Sequence, residues 1–370
     1  MRTLFHNGHF FTGTELVHDR ALLINGDRIE GFAGPGSEPA DADRIDCGGS
    51  LVIAGLIDLQ IAGGGGYLFS SNPNPEALAV ITDSIISTGT TGFLLALPTN
   101  TEEVYHEAFM TVEGFANPAV MGVHLEGPFI SHSRRGAHAP ELIRKPDSEN
   151  VESLLTHAGK AIKMMTVAPE ECTPDVIRQL KEHGITVAAG HSNATFMQAA
   201  AGFEMGVETV THLFNAMTPL HHRDPGLPGA AFLSSTACAS IIADGIHVDY
   251  SMVAIAKKIM KERLFLVSDA VEVNERGAYR HVRQEDRFTL PDGTLSGAKL
   301  SMLDAVRNCV NHAGIDLYEA IRMATLYPSR LIRAEDRGVI APGARADLLV
   351  LDDELRLKGI CFNGITELMK

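Results

Sequence analysis

Residues 185–216 read ITVAAGHSNATFMQAAAGFEMGVETVTHLFNA. A short apolar run rich in β-branched residues ends at Gly190 and His191, a helix-compatible stretch follows, and a second run ends at His212. The same pattern extends outward in both directions. Upstream lie LIDLQIAG (56–63), GFLLALPTN (92–100), VMGVHLEGPF (120–129) and AIKMMTVAPE (161–170); downstream lie ASIIADGIH (239–247) and LFLVSDA (264–270). Nearly continuous apolar strands separated by helical segments indicate a parallel sheet buried on both faces. Eight such runs are the number that closes a TIM-type (β/α)8 barrel, so the expected fold is α/β. The flanks differ, with alternating polar and apolar positions before residue 50 and strand-like ADLLVLDD and LKGICFNGI after Pro342-Gly343. The expectation is a small β-sandwich domain built from residues 1–50 and 340–370, beside a barrel over 51–339.

Composition agrees with a globular chain. Its 370 residues are 45% hydrophobic, 21% charged and 6% aromatic, which excludes disordered, collagen-like and coiled-coil classes. A net charge of −15 without any basic run argues against a nucleic-acid or anionic-membrane surface, so an anionic ligand must be met by a few local groups. The five cysteines, Cys47, Cys172, Cys238, Cys309 and Cys361, are scattered and never spaced C-x-x-C. Free thiols in a reducing cytoplasm are expected, not a disulfide framework or zinc ribbon. MRTLFHNGHFFTG lacks the apolar core of a signal peptide. Leu51 to Phe69 approaches membrane-span length but carries Asp58, Gln60 and Gly63 to Gly66, so it reads as a buried strand followed by a flexible turn.

In a (β/α)8 barrel, reactive groups sit where strands run out at the C-terminal face. Here those ends carry Gln60, Glu126, His191, His212, His247 and Asp269. Any one histidine among 16 is ordinarily a surface or satisfied core residue. Glu126, His191 and His212, at the ends of the third, fifth and sixth runs, together make an open set of one carboxylate and two imidazoles suited to a catalytic divalent ion. Zn²⁺ is the first expectation, with Fe, Co or Mn admitted by the same ligand types. Asp269 reads either as an N-cap for a following helix or as the group that takes a proton from attacking water and returns it to a leaving amine. Asn215, the backbone amide of Ala216 and Arg223 offer an amide and a cation for a phosphate or carboxylate. His138 and His247 lie in loops after strand-like runs and read either as substrate-orienting groups or as surface histidines.

GLIDLQIAGGGG, HLEGPF, RRGAHAP, GHSNA, THLFNAM, ADGIHVD, VSDA and TLSG occur in that order. Together with ATLYPSRLI and GVIAPGARADLLVLD near the end, they make the chain resemble the N-acetylglucosamine-6-phosphate deacetylase family of the amidohydrolase superfamily. The resemblance implies that Glu126, His191 and His212 hold the metal and that Asp269 is the catalytic acid and base. It also implies that Asn215, Ala216, Arg223 and His247 bind the sugar phosphate, with His138 near the acetamido group. Arg223 would come from the neighbouring subunit of a homodimer. Many superfamily members carry His-x-His at the end of the first strand, where this chain has Gln60 and Ala62. One tightly held ion per chain is therefore expected, with Gln60 at most a weak second-site ligand through its amide oxygen. The implied reaction is deacetylation of N-acetyl-D-glucosamine 6-phosphate; the rivals are the galacto epimer and an inactive scaffold. Ala298 and Lys299 take positions often held by small hydroxyl residues, which bears on the epimer.

Overall fold

A computed structural model of the chain describes residues 2–34, 36–275 and 277–369. All eight apolar runs form parallel strands of one sheet: β1 (Leu56–Ile61), β2 (Thr90–Pro98), β3 (Val120–Glu126), β4 (Ile162–Val167), β5 (Thr186–Ala189), β6 (Thr209–Val210), β7 (Cys238–Ile241) and β8 (Leu264–Leu266), each beside its sequence neighbour. Each strand leads to a helix: α1 (Pro75–Ser87), α2 (Glu102–Gly114), α3 (Ser148–Ala158), α4 (Pro174–Glu182), α5 (Phe196–Met205), α6 (Gly226–Leu233), α7 (Tyr250–Met260) and α8 (Met302–Asn311). The helix starts are written in the sequence. Asn74, Thr101, Asp147, Thr173, Thr195, Asp249 and Ser301 each cap a free amide of the first turn, and Thr195 with Gln198 forms a reciprocal capping box. None of the described helices is long and apolar enough to cross a membrane.

The strands are fully buried where it matters, with every residue of β1 and all of β2 except Pro98 out of solvent. They share one large apolar core with the inward faces of the helices. The barrel closes where β8 meets β1. Asp269 N donates to the Gln60 carbonyl at 2.9 Å and Ala62 N to the Ala270 carbonyl at 2.8 Å. The buried Asp58 carboxylate ties the same seam, accepting from Ser268 Oγ at 2.5 Å, Ser268 N at 3.2 Å and Gln60 N at 3.1 Å.

Both chain ends contribute to two further sheets. One orders Arg28–Ala33, Ala21–Asn25, Arg2–His6 and Asp43–Asp46; the other orders Ile365–Leu368, Leu357–Phe362, Leu348–Leu351, Leu51–Ala54, His9–Phe11 and Leu16–Val17. Their facing apolar side chains, among them Phe5, Phe10, Ile24, Val52, Leu348 and Cys361, form a second core. Leu51–Ala54 pairs with Leu348–Leu351 and His9–Phe11, so the chain enters the barrel only at Leu56. The glycine run after β1 forms a tight hairpin, Gly63–Gly64 against Tyr67–Leu68, turning at Gly65 and Gly66 with φ of +61° and +88°. One connection departs from the strand-then-helix rhythm. Between Asp269 and α8 the chain makes a small hairpin, Val282–Arg283 with Phe288–Thr289, and folds Tyr279 against Ala62, Leu68 and Ala96 at the barrel mouth.

Candidate active site at the barrel mouth

Glu126 ends β3, and His191, His212 and Asp269 each sit just past a strand end. His191, His212 and Asp269 have φ of +47°, +33° and +51°, the left-handed region that non-glycine residues seldom adopt. Each such turn costs about 1–3 kcal/mol and bends a side chain off the strand line into the barrel mouth. Gly190, before His191, has no room for a side chain, because a Cβ there would meet Thr211 Cβ at 3.0 Å and Thr166 Cγ2 at 2.8 Å.

Three of these side chains converge. Glu126 Oε1 lies 3.1 Å from His191 Nε2 and 2.9 Å from His212 Nε2, and the two nitrogens are 3.1 Å apart. All three residues are buried. Among the described residues they are the one His/Cys/Asp/Glu group compact enough to hold a metal ion. His191 Nδ1 lies 3.1 Å from the Arg134 carbonyl, which only accepts, so Nδ1 carries the proton and the Nε2 lone pair faces the cluster. The donor set fits an open divalent site. Burial alone would raise the Glu126 carboxyl, but the surrounding imidazoles of His138, His191 and His212 hold it well below the usual range. His191 is pushed down to about 4 by burial and by His138. Burial opposes charge on His212 as well, yet the Glu126 and Asp269 carboxylates raise it, so the cluster favours a cation.

Asp269 stands beside this group. Burial and the Glu126 charge raise its carboxyl to about 7. The segment after it is not a helix, and α8 is capped by Ser301, so Asp269 is not a helix cap. Gln60 bridges the two carboxylates, Nε2 donating to Glu126 Oε1 and Asp269 Oδ1, both at 3.1 Å, while its Oε1 is buried without a partner. It turns its N–H groups, not its oxygen, toward the cluster.

A cavity of about 260 Å3 opens over these residues and is also lined by His138, Asn215, Ala216 and His247. The structure thus gathers every predicted site residue except Arg223, which is exposed on the loop before α6, outside the cavity of its own chain; Gln60 joins the cluster through Glu126 and Asp269 without lining the cavity. Asp244 Oδ2 lies 2.6 Å from His247 Nδ1 and Oδ1 accepts from the amides of Ile246 and His247, which fixes the ring at the rim. Sequence reasoning missed Tyr279 and His281, which line the cavity from the connection after β8 together with Thr294–Gly297, the TLSG of the family resemblance. Thr99, one residue past β2, was also missed, although its strand-end position was the available signal. Ala298 and Lys299 do not line the cavity; Ala298 is buried behind it.

Residues 51–368 match the family described as "Amidohydrolase family". An N-acetylglucosamine-6-phosphate deacetylase of Haemophilus influenzae is 33% identical, over 98% of this chain and 99% of the relative. An N-acetylgalactosamine-6-phosphate deacetylase of Shewanella sp. is also 33% identical, over 88% and 85%. A mutant N-acetyl-D-glucosamine-6-phosphate deacetylase of Mycobacterium smegmatis, solved with N-acetyl-D-glucosamine-6-phosphate, superposes with a TM-score of 0.92 at 30% identity, covering both chains completely. The chain belongs to the amidohydrolase family, whose members are metal-dependent hydrolases. Within that family its place is among the N-acetylglucosamine-6-phosphate deacetylases.

Proposed function

We propose that the chain hydrolyses the acetamide of N-acetyl-D-glucosamine 6-phosphate, giving acetate and glucosamine 6-phosphate. The observation that carries this reading is the Glu126–His191–His212 cluster with Asp269 beside it, at the floor of a cavity whose rim carries Asn215, Ala216 and His247. Glu126, His191 and His212 would hold one divalent ion per chain, Zn²⁺ first, which when bound polarises a carbonyl and lowers the pKa of water toward about 7. Asp269 takes the proton of the attacking water. The water oxygen adds to the acetyl carbon, His138 donates toward the developing oxyanion, and the C–N bond breaks as Asp269 returns the proton to the amine. Gln60 holds Asp269 and Glu126 in fixed relation through its two N–H groups. Asn215, the Ala216 amide and His247 hold the sugar phosphate.

Arg223 completes that anion site from the partner subunit of a homodimer. Its exposure outside its own cavity and the exposed apolar side chains of Met197, Leu220 and Leu233 on neighbouring elements support this reading. Residues 1–50 and 340–370, joined by the strand Leu51–Ala54, form a β unit beside a catalytic barrel that begins at Leu56, and the enzyme works in the cytoplasm.

The test is acetate release from the 6-phosphates of N-acetylglucosamine and N-acetylgalactosamine and from both unphosphorylated sugars, with bound metal quantified in the same preparation. The gluco phosphate is the preferred substrate. Equal or faster turnover of the galacto phosphate overturns the epimer assignment, and absence of acetate release from all four overturns the reaction.

A further inference from the structure

Thr99 is fully buried between β2 and the site, and each of its polar atoms is committed there. Its hydroxyl lies 2.8 Å from His138 Nδ1. Its backbone N–H is also aimed at His138 Nδ1, at 3.3 Å. Its carbonyl accepts the hydroxyl proton of Tyr279, the buried tyrosine of the segment that covers the cavity. The space for the Thr99 hydroxyl exists because residue 127 is glycine, with φ of +85°; a Cβ there would stand 2.2 Å from Thr99 Oγ1.

These contacts decide which nitrogen of His138 carries the proton. A backbone N–H can only donate, and an Nδ1–H would meet it head-on, so Nδ1 accepts. The threonine hydroxyl, which also lies 3.3 Å from the Glu126 carbonyl, then donates to the nearer Nδ1, because two facing lone pairs at 2.8 Å would repel. The ring proton is left on Nε2, which lies 3.7 Å from Glu126 Oε2 on the cavity wall. A neutral imidazole in this tautomer offers an N–H to a substrate oxygen and has no free lone pair with which to act as a base.

We propose that Thr99 is a positioning residue that locks His138 in the Nε2–H tautomer, making it a hydrogen-bond donor to the acetyl oxygen, and that Tyr279 seats the covering segment on the same residue. The claim about the reaction rests on the deacetylase reading above, whereas the claim about the tautomer does not.

The experiment uses full-length protein labelled with 15N-histidine, with the His138 signals assigned through His138→Gln. The substrate-free enzyme, with and without zinc, should show a protonated Nε2 and an unprotonated Nδ1 on His138. Thr99→Val should lower kcat about tenfold, the worth of one hydrogen bond made in the transition state, with KM nearly unchanged. Thr99→Ser, which keeps the hydroxyl, should restore kcat to near the parental value. A proton on Nδ1 overturns the tautomer assignment whatever the substrate proves to be. The expected tautomer together with parental kcat in Thr99→Val overturns the positioning role. If acetate release fails on all hexosamine substrates but Nε2 is protonated, the reaction is wrong and the tautomer lock stands.

Discussion

Asp269 shows how much of the site is decided one residue at a time. A carboxyl at its ordinary pKa would be a poor proton acceptor at neutral pH; burial, with the adjacent Glu126 charge, raises Asp269 above that range. Its backbone, at φ +51°, is bent off the strand line at the seam of the barrel. Replacing it by Asn keeps shape and removes the proton-carrying group. Asp269→Asn should therefore keep metal content and melting temperature while kcat falls about 10³-fold or more; near-parental turnover removes Asp269 from the mechanism. The residue types Glu126, His191, His212 and Asp269 were legible in the sequence because strand ends announce themselves by a switch from apolar to polar. The left-handed turns at His191, His212 and Asp269 were not, since nothing in a strand-end histidine or aspartate specifies a positive φ.

At the scale of elements, the seam between β1 and β8 is held by few backbone bonds, and Asp58 reinforces it with two hydrogen bonds accepted from Ser268. Complete burial raises its carboxyl to about 6, with the Ser268 and Gln60 donors pulling the other way. Because the folded value lies above the unfolded one, near 3.8, its contribution to stability is full below about pH 4 and is lost as pH rises through 6. The loss is on the order of 3 kcal/mol for a fully buried group. Asp58→Asn cannot ionise, so the stability of the parent relative to this variant should fall between pH 4 and 6.5 and then level off. Parallel thermal melts across that range check it, and a constant difference sinks the assignment. His124, under Glu126 on β3, works in the opposite sense. Burial lowers it to about 4, so its contribution is lost as pH falls from about 6.5 through 4. The helices and strands themselves were readable from periodicity and capping residues. The covering segment between Asp269 and α8 was not, because its order comes from Tyr279 and His281 meeting groups distant in sequence, Thr99 across the barrel mouth and Ser296 near the end of the segment.

For the whole molecule, the placement of Arg223 bears on how many chains make one site. A cationic group outside its own cavity and a cavity with no arginine among its described lining residues are complementary if the partner supplies it. Arg223→Ala should raise KM for the phosphorylated substrate with little change for the unphosphorylated sugar. Mixing Arg223→Ala with Asp269→Asn and allowing subunits to exchange should recover activity, because each mixed dimer then holds one intact site, about a quarter of all sites at full exchange. Recovery does not occur if Arg223 serves its own chain. What the sequence by itself determined is local: eight buried strands, capped helices between them, and the identity of the groups at the strand ends, all set by short-range periodicity and residue chemistry. Only the tertiary structure decided which of those groups share a charge environment. The Glu126 carboxylate comes within 2.9–3.1 Å of two imidazoles from just past β5 and β6, Asp269 is raised by burial and by the Glu126 charge, and His138 takes its tautomer from Thr99, 39 residues away. Such couplings act through space over a few ångströms in a water-poor interior, and barrel closure is what brings residues so far apart in the chain to that range.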